Sequence, residues 1–273
     1  MSPDVYVSPH SDDICFSLGA FARKRGGGIL LTVFPNSAYL APRPDRLSPV
    51  SSDDVTRTRM SEDRAFAAAC NLAARFLALG CASFYGKPPF DLAGVHEKAA
   101  GTEATLMQAL LEIPGETGAA ARPWLFCPTG IGGHVDHVAV LMVVIRNLER
   151  LRSRYRIAFY EDLYYASDAR IRRAGLQRLF QGLPGRSLMR HSLPLGDDGT
   201  EKLKLLHLYP SQFTALPPSI AHFTPADGTS GMPHEAIWTE EESGPALHTR
   251  NPVSFAAAWV TTLVQRVPLN GMG

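Results

Sequence analysis

The sequence lacks several features that define other classes of protein. Its four cysteines form no CxxC pair and lie among apolar residues, which argues against a thiolate zinc site or a disulfide framework and favours buried, reduced thiols. No apolar run reaches the roughly 18 residues of a membrane span. No basic segment followed by an apolar one marks a signal peptide. We therefore expect a cytoplasmic protein without a membrane span.

The sequence also lacks an excess of charge of either sign. The chain has 27 Lys and Arg against 26 Asp and Glu, a net charge of +1, and no basic stripe stands out. The arginine-rich stretch 146–156 has the apolar spacing of a helix, so its arginines are expected on a solvated face. Nucleic acid is therefore not an expected partner. There is no P-loop, and Gly26 to Gly28 lacks the GxGxxG spacing, so phosphoryl transfer and dinucleotide binding find little support.

Alternating strand and helix patterns indicate the fold class. With 273 residues, 45% hydrophobic and 19% charged, the chain suits one large α/β domain with a substantial core. The patterns predict a Rossmann-like open, mostly parallel sheet with helices on both faces, followed by irregular C-terminal strands and a terminal helix. Predicted strands are Val5–Ser8, Ile29–Phe34, Cys81–Tyr85, Trp124–Cys127, Ile157–Tyr160, Ser187–Leu195 and Glu235–Thr239. Predicted helices are Asp13–Arg25, Val55–Leu79, Val95–Ile113, Val138–Leu151, Asp168–Phe180, Thr200–His207 and Phe255–Val267.

Polar residues follow the first predicted strand directly. His10, Asp12 and Asp13 come after Val5–Ser8 and before the first helix. In open α/β sheets, ligands bind at the carboxyl ends of the strands. The amino end of a helix also favours the negative charge of the two aspartates. The simpler alternative is that Ser11 or Asp12 only caps the helix.

A second cluster repeats this arrangement. His134, Asp136 and His137 follow the strand Trp124–Cys127 and a glycine-rich turn, and they precede another helix. Two such clusters can meet at one edge of the sheet, which favours a site over two independent helix caps. Two imidazoles and one carboxylate, with positions left for water, form the ligand set of catalytic Zn²⁺. Fe²⁺ is compatible with the same set.

The chemistry of this set is metal-assisted hydrolysis. A divalent metal lowers the pKa of bound water from about 15.7 to about 7. A free carboxylate can accept the proton, and a histidine can stabilise the oxyanion or protonate the leaving group. The combined clusters supply enough polar groups for hydrolysis of an amide.

Five segments carry a resemblance to a known family, in order along residues 3 to 212. Ser8 to Asp13 resembles the Pro-His-x-Asp-Asp motif of the PIG-L/LmbE family of metal-dependent N-deacetylases, and His134 to His137 resembles its His-x-Asp-His motif. The other similar segments are Arg59 to Glu62, Glu161 to Ala166, and Lys202 to Gln212. The chain departs from the opening motif at Ile14, where the family has Glu.

The resemblance implies roles for the clustered residues. The implied metal ligands are His10, Asp13 and His137, holding Zn²⁺ or Fe²⁺. Asp12 would be the general base, and His134 the cationic electrophile beside the tetrahedral intermediate.

The resemblance also implies how the substrate is held. Asp136 would hydrogen-bond a histidine and fix its orientation, and Arg59 would reach a sugar hydroxyl. The implied partner is a small N-acetylated amino sugar or glycoconjugate that loses its acetyl group. The whole chain, 1–273, would be one deacetylase domain, with a core of about 3–212 and a C-terminal extension, 213–273. A homo-oligomer is compatible with the sequence.

Two alternatives stay open at this stage. The first is an amidase that acts on another sugar-conjugate amide, such as a thiol–sugar conjugate. The second is a non-catalytic sugar-binding protein that shares the fold. Acetate release from acetylated sugars separates the first from a deacetylase, and ligand binding without turnover would identify the second.

Overall fold

Seven strands form one sheet in the part of the chain that the computed structural model describes, residues 2–42, 50–113, 122–196, 199–213, 219–228, 232–240 and 244–245. The strands are β1 Val5–Ser8, β2 Ile29–Thr32, β3 Ala73–Phe76, β4 Trp124–Pro128, β5 Arg156–Tyr160, β6 Met189–Pro194 and β7 His234–Thr239. Their order across the sheet is β3-β2-β1-β4-β5-β7-β6. The terminal helix predicted at Phe255–Val267 lies outside the described residues.

The first five strands are parallel, and their order confirms the predicted fold class. The chain builds β1, β2 and β3 outward in one direction, then returns to place β4 and β5 on the other side of β1. The carboxyl ends of β1 and β4 therefore lie side by side at the point where the strand order reverses. This is where open α/β sheets form their ligand crevice.

The C-terminal strands extend the same sheet. β7 pairs antiparallel with β5, with Phe159 opposite Trp238, and β6 pairs antiparallel with β7. The sheet is therefore mixed, with an antiparallel edge added to a parallel centre.

Helices cover both faces of the sheet. They are α1 Asp13–Arg25, α2 Ser52–Ala69, α3 Val95–Glu112, α4 Val135–Arg146, α5 Leu148–Arg152, α6 Ala169–Gly182 and α7 Thr200–Leu206. Because side chains alternate along a strand, Val5 and Val7 enter the core beneath α3, α4 and α6, whereas Tyr6 enters the core beneath α1, α2 and α7. None of the helices in the described ranges has the length and apolar character to cross a membrane.

The prediction was wrong between residues 70 and 85. The helix predicted to run to Leu79 ends at Ala69, because Asn71 takes a left-handed conformation with φ of 55° and reverses the chain. The third strand is Ala73–Phe76, and the segment Cys81–Tyr85, predicted as that strand, contains a 3-10 helix at Ala82–Tyr85. β3 is an edge strand with alternately exposed and half-buried residues, and its alanines and Phe76 continue the helical pattern of α2.

Helix α1 is broken near its middle. Leu18 has non-helical dihedral angles, φ −132° and ψ 20°, so a second helical segment begins after it. The backbone N–H groups of Ala20 and Phe21 donate to the carboxylate of Glu235, at 2.9 and 2.8 Å. The ammonium of Lys202 lies 2.8 Å from the same carboxylate, and both side chains are fully buried. A carboxylate from β7 thus caps a helix start inside the core.

Candidate metal and active site

The two predicted clusters meet in the crevice between β1 and β4. His10, Asp12 and Asp13 lie where β1 turns into α1, and His134 to His137 lie at the start of α4. The histidine rings of His10, His134 and His137 have centroids 4.6 to 5.3 Å apart. The structure therefore brings all six predicted residues together, although about 120 positions separate the two clusters in the sequence.

The helix-cap alternative holds for one of these residues. His134 caps α4, since its Nδ1 accepts from the backbone N–H of Asp136 at 3.2 Å. Asp12 precedes α1 but makes no capping hydrogen bond with its side chain. Helix capping therefore explains the position of His134 in the second cluster, but it does not explain Asp12 in the first.

Three ligand-type atoms converge on one point. His137 Nε2 lies 3.2 Å from His10 Nδ1 and 3.2 Å from Asp13 Oδ2, and His10 Nδ1 lies 3.4 Å from Asp13 Oδ2. Ligand atoms bound about 2.0–2.2 Å from a tetrahedral metal are separated by roughly 3.3–3.5 Å. The spacing of this triangle therefore fits one face of a tetrahedral site, with the fourth position left for water or substrate.

Each of the two histidines is held from behind by a carboxylate. His10 Nε2 lies 2.9 Å from Asp136 Oδ2, and His137 Nδ1 lies 2.7 Å from Asp162 Oδ1. When these nitrogens carry the protons and donate to the carboxylates, the facing nitrogens present lone pairs toward Asp13. Three electron-rich atoms at this distance repel one another unless a proton or a metal cation lies between them. Carboxylate–histidine pairs of this kind orient metal ligands.

The electrostatics of the cluster favour positive charge. Burial lowers the pKa of His10, but the hydrogen bonds that its ring donates to Asp13 and Asp136 outweigh burial and raise the pKa to about 9. Burial likewise opposes the charged form of His137, and Asp13 and Asp162 hold its pKa well above the usual range. The buried carboxylates thus stabilise any cation bound at this point.

His134 is the third imidazole of the cluster and has a different environment. It offers a nitrogen within 4.8 Å of those of His10 and His137, so it is a further candidate ligand. Burial and its two histidine neighbours lower the pKa of His134 to about 2, which favours the neutral ring over the cation that the family resemblance implies. Because Nδ1 accepts a backbone hydrogen bond, Nε2 carries the proton and is a donor.

Asp12 lies beside the triangle with a strained backbone. Its φ of 125° is a conformation that residues with a side chain rarely adopt. Burial, with the nearby Asp13, raises the pKa of Asp12 to about 8, and the Arg59 guanidinium opposes this rise. In the amide orientation that satisfies its neighbours, Gln212 donates to Asp12 Oδ2 at 3.1 Å and accepts from Arg59 Nε at 3.3 Å.

Arg59 is directed toward the protein itself. It is 5% exposed, and it donates to the Ser11 carbonyl at 2.6 Å, to Asp12 Oδ2 at 3.0 Å and to Ser37 Oγ at 3.2 Å. These contacts hold Asp12 in place. A contact between Arg59 and a sugar hydroxyl stays a prediction.

Sequence reasoning missed two residues behind the histidines. Asp162 follows β5, the neighbour of β4, so the argument that located the other clusters could also have found it. Its second oxygen accepts from Thr129 Oγ1 at 2.6 Å and from the Ile131 N–H at 3.0 Å. Lys98 is the fourth residue of α3, a helix that does not directly follow a strand of the sheet, and its Nζ is 3.0 Å from Asp136 Oδ1.

By its fold and its site, the protein belongs to a class in which an α/β sheet carries a cluster of histidines and carboxylates at the point where the strand order reverses. Within that class, the chain is 32% identical over 166 residues to the 2'-N-acetylparomamine deacetylase of Streptomyces fradiae. The match covers 59% of this chain and 57% of that protein, so it spans little more than half of the curated relative. No family model matches the chain.

Solved deacetylase structures share the fold. The deacetylase of the antimicrobial A40926 pseudoaglycone has a TM-score of 0.61 at 20% identity, covering 87% of this chain and 96% of that one. The zinc inhibited form of a teicoplanin deacetylase has a TM-score of 0.60 at 17% identity, covering 86% and 96%. At these identities the likeness concerns the fold.

Proposed function

We propose that this protein is a metal-dependent hydrolase that removes an N-acetyl group from an amino sugar or sugar conjugate. The observation that carries the proposal is the triangle of His10, Asp13 and His137 ligand atoms with the carboxylate of Asp12 beside it. The similarity to 2'-N-acetylparomamine deacetylase supports the amino-sugar substrate. The two imidazoles and one carboxylate of the ligand set make Zn²⁺ the first metal to test.

The ligand set suits a catalytic site. His10, Asp13 and His137 would hold a Zn²⁺ or Fe²⁺ ion, and the set leaves coordination positions for water and substrate. When bound, such an ion supplies a Lewis acid for the amide carbonyl and lowers the pKa of water. Asp136 and Asp162 keep the two imidazoles in the orientation that presents a lone pair to the ion.

Asp12 acts as the general base. It adjoins Asp13 in the chain and interacts electrostatically with Asp13 and His10, and because it is outside the ligand set it can accept a proton from the attacking water. Arg59 and Gln212 fix the position of its carboxylate, so the proton acceptor is in place before substrate binds. The proton then passes to the departing amine as the C–N bond breaks.

His134 acts as a hydrogen-bond donor to the developing oxyanion. Its Nδ1 accepts from the backbone, which leaves Nε2–H to donate to the carbonyl oxygen as negative charge accumulates there. A neutral donor suffices for this role beside a divalent cation. Protonation of the leaving amine by His134 would require the imidazolium, which burial and the neighbouring histidines disfavour by lowering its pKa to about 2, so Asp12 returns the proton.

Acetate release tests this proposal directly. The purified protein is stripped with a chelator, reloaded with Zn²⁺ or Fe²⁺, and incubated with 2'-N-acetylparomamine, N-acetylglucosamine and other acetylated amino sugars. We expect acetate from at least one sugar, loss of activity on chelation, and recovery on return of the metal. Turnover that is insensitive to chelation, or no turnover by the metal-loaded protein, would contradict the proposal.

A further inference from the structure

A cavity outside the candidate metal site lies between helix α3 and the segment 79–91. Its volume is about 440 Å³, which is in the range of small-molecule sites. None of the six clustered histidines and aspartates lines it. Lys98 lines the cavity and contacts Asp136, whose other oxygen contacts His10. Because Asp136 is fully buried, it separates this cavity from the metal site.

Two glycines keep the α3 side of the cavity open. Residues 94, 97, 98, 101 and 102 line it, a spacing that places them on one face of the helix. A Cβ added at Gly94 or Gly101 would meet no atom within 4 Å. Gly101 lies inside α3, where glycine is less favourable than other residues. The cavity is therefore open at positions where a larger side chain would fill it.

The other walls of the cavity are mainly apolar. The Phe34 ring and Val135 are buried at its inner side, and Tyr85 is 60% exposed at its mouth. Leu79, Ala82 and Pro88 complete this surface. Aromatic side chains pack well against flat apolar rings, so these walls suit a ligand with a flat apolar body.

Lys98 supplies the charge at the inner end of the cavity. Its side chain is only 19% exposed, and its Nζ lies 2.6 Å from the Gly80 carbonyl, 3.0 Å from Asp136 Oδ1 and 4.3 Å from the centre of the Phe34 ring. An ammonium group has three N–H donors. In the described part of the chain the two oxygens account for two of them. The third can donate to a ligand, and a carboxylate would accept it in a charge-assisted hydrogen bond.

The remaining charged residues of the cavity lie at its edge. Lys87, Asp91 and Glu97 are exposed, and the carboxylate of Asp91 accepts from the backbone N–H of Ala93 at 2.9 Å. Water and salt screen charges in such positions. The partly buried ammonium of Lys98 therefore has the larger influence on the ligand.

We propose that this cavity is a second ligand site, which binds a small carboxylate with a flat apolar body. The carboxylate pairs with Lys98, and the apolar body packs against Phe34 and Tyr85. The inference goes beyond the proposed function and does not depend on it, because neither the proposed metal ligands nor the proposed general base lines the cavity.

Calorimetry with two compounds of the same ring tests the chemistry of the ligand. The Zn²⁺-loaded protein is titrated with 2-naphthoate and with the uncharged 2-naphthalenemethanol. We expect wild type to bind the carboxylate more tightly by about tenfold or more. Lys98→Met should bring the ratio of the two Kd values toward one, and Lys98→Arg should retain the preference. A wild-type ratio near one, no binding of 2-naphthoate, or an unchanged ratio in Lys98→Met would overturn the proposal.

Substitutions that fill the cavity test its location. Gly101→Phe and Gly94→Leu each place a large side chain in the open space, and both should weaken binding of 2-naphthoate by about tenfold or more. Gly101→Ala is the matched control, because it adds one methyl group at the same helical position and should bind close to wild type. Undiminished binding in both filled variants would place the compound elsewhere, such as at the metal, and would overturn the proposal.

Acetate release separates this inference from the proposed function. The glycine variants leave the candidate metal site unchanged, so they should release acetate at the wild-type rate while losing 2-naphthoate binding. If wild type releases no acetate from any sugar, the deacetylase proposal fails, and the calorimetric comparison still decides whether the cavity binds a carboxylate. Thermal unfolding of each variant checks that the fold is retained.

Discussion

Asp12 combines a strained backbone, burial and a position beside three converging ligand atoms. Backbone strain of this kind persists where the surrounding structure determines a functional geometry. Arg59 supplies that constraint, because it binds both the Ser11 carbonyl and the Asp12 carboxylate. The proposed general base is thus held in this conformation by its neighbours, since its own backbone preference would not favour it.

Replacement of Asp12 by alanine separates metal binding from catalysis. The variant should retain its metal, because Asp12 is outside the proposed ligand set, and its turnover should fall by about 10²–10⁴-fold with loss of the general base. Elemental analysis and the rate of acetate release check the two parts. Normal turnover would remove Asp12 from its role, and loss of metal would make it a ligand.

Lys98 should influence metal affinity from outside the ligand set. Its ammonium pairs with Asp136, which in turn holds His10. Changes behind a metal ligand weaken affinity by about 10–100-fold, so Lys98→Met should raise the metal Kd in that range. Lys98→Arg keeps the positive charge and should stay closer to wild type. Competition with a chromophoric chelator measures both, and an unchanged Kd in Lys98→Met would show that this pair is only structural.

The residues that the sequence could reveal are those in local clusters. His10, Asp12 and Asp13 adjoin one another, and so do His134, Asp136 and His137, so strand–helix context was enough to select them. Lys98 could not be found in this way, because it belongs to neither cluster and its helix, α3, does not directly follow a strand of the sheet.

At the scale of elements, the broken helix α1 depends on a buried ion pair. The carboxylate of Glu235 accepts hydrogen bonds from two backbone N–H groups of α1 and from the ammonium of Lys202. Glu235→Ala would leave a buried ammonium and two donors without a partner. Removing one member of such a pair costs about 3–5 kcal/mol, so we expect a lower free energy of unfolding of that size in urea titrations.

The double variant distinguishes the buried charge from the packing. Glu235→Ala with Lys202→Met removes both charges, so it should be more stable than Glu235→Ala alone. The single variant Lys202→Met completes the comparison. If the loss of stability in the double variant equals the sum of the losses in Glu235→Ala and Lys202→Met, the ion pair is not the reason for the loss.

Elements with strong patterns were predicted well, and an edge element was not. β1, β2, β4 and β5 are buried runs whose apolar residues identify them, and α3 and α6 begin and end close to their predicted bounds. β3 was missed because its sequence, Ala-Ala-Arg-Phe, continues the alanine-rich helical pattern of α2. Helix α4 begins at Val135, three residues before the prediction, since His134 is itself the cap.

At the scale of the whole molecule, Glu161 joins the C-terminal strands to the end of β5. Its buried carboxylate accepts from Arg172 of α6, from Arg190 of β6 and from the Trp238 indole of β7. Asp162, which holds His137, is the next residue. The network therefore links the antiparallel edge of the sheet to Asp162, and through Asp162 to His137 of the candidate site.

The same network predicts a dependence of stability on pH. Burial raises the pKa of Glu161, but Arg172 and Arg190 outweigh it and hold the pKa below 4.5, the ordinary value. The folded state thus binds fewer protons than the unfolded state near this pH, so stability is present above about pH 4.5 and is lost as the pH falls through the folded-state pKa. Urea titrations between about pH 3 and 6 should show a smaller slope for Glu161→Gln than for wild type. Equal slopes would contradict this assignment.

The meeting of the two clusters is a property of the whole topology. It follows from the pairing of the parallel strands β1 and β4. The predicted fold class indicated this meeting, because the carboxyl ends of parallel strands share one edge of the sheet. The contact between the Phe90 and Tyr165 rings, 6.1 Å apart, has no such signature, because the two residues lie about 75 positions apart in the sequence.

The central claim is that His10, Asp13 and His137 bind one divalent cation. An anomalous-diffraction map of crystals grown with Zn²⁺ tests this claim most directly. The account predicts a single strong peak about 2.0–2.2 Å from His10 Nδ1, His137 Nε2 and an Asp13 carboxylate oxygen. A map with no peak there, or with zinc bound only elsewhere on the protein, would contradict it.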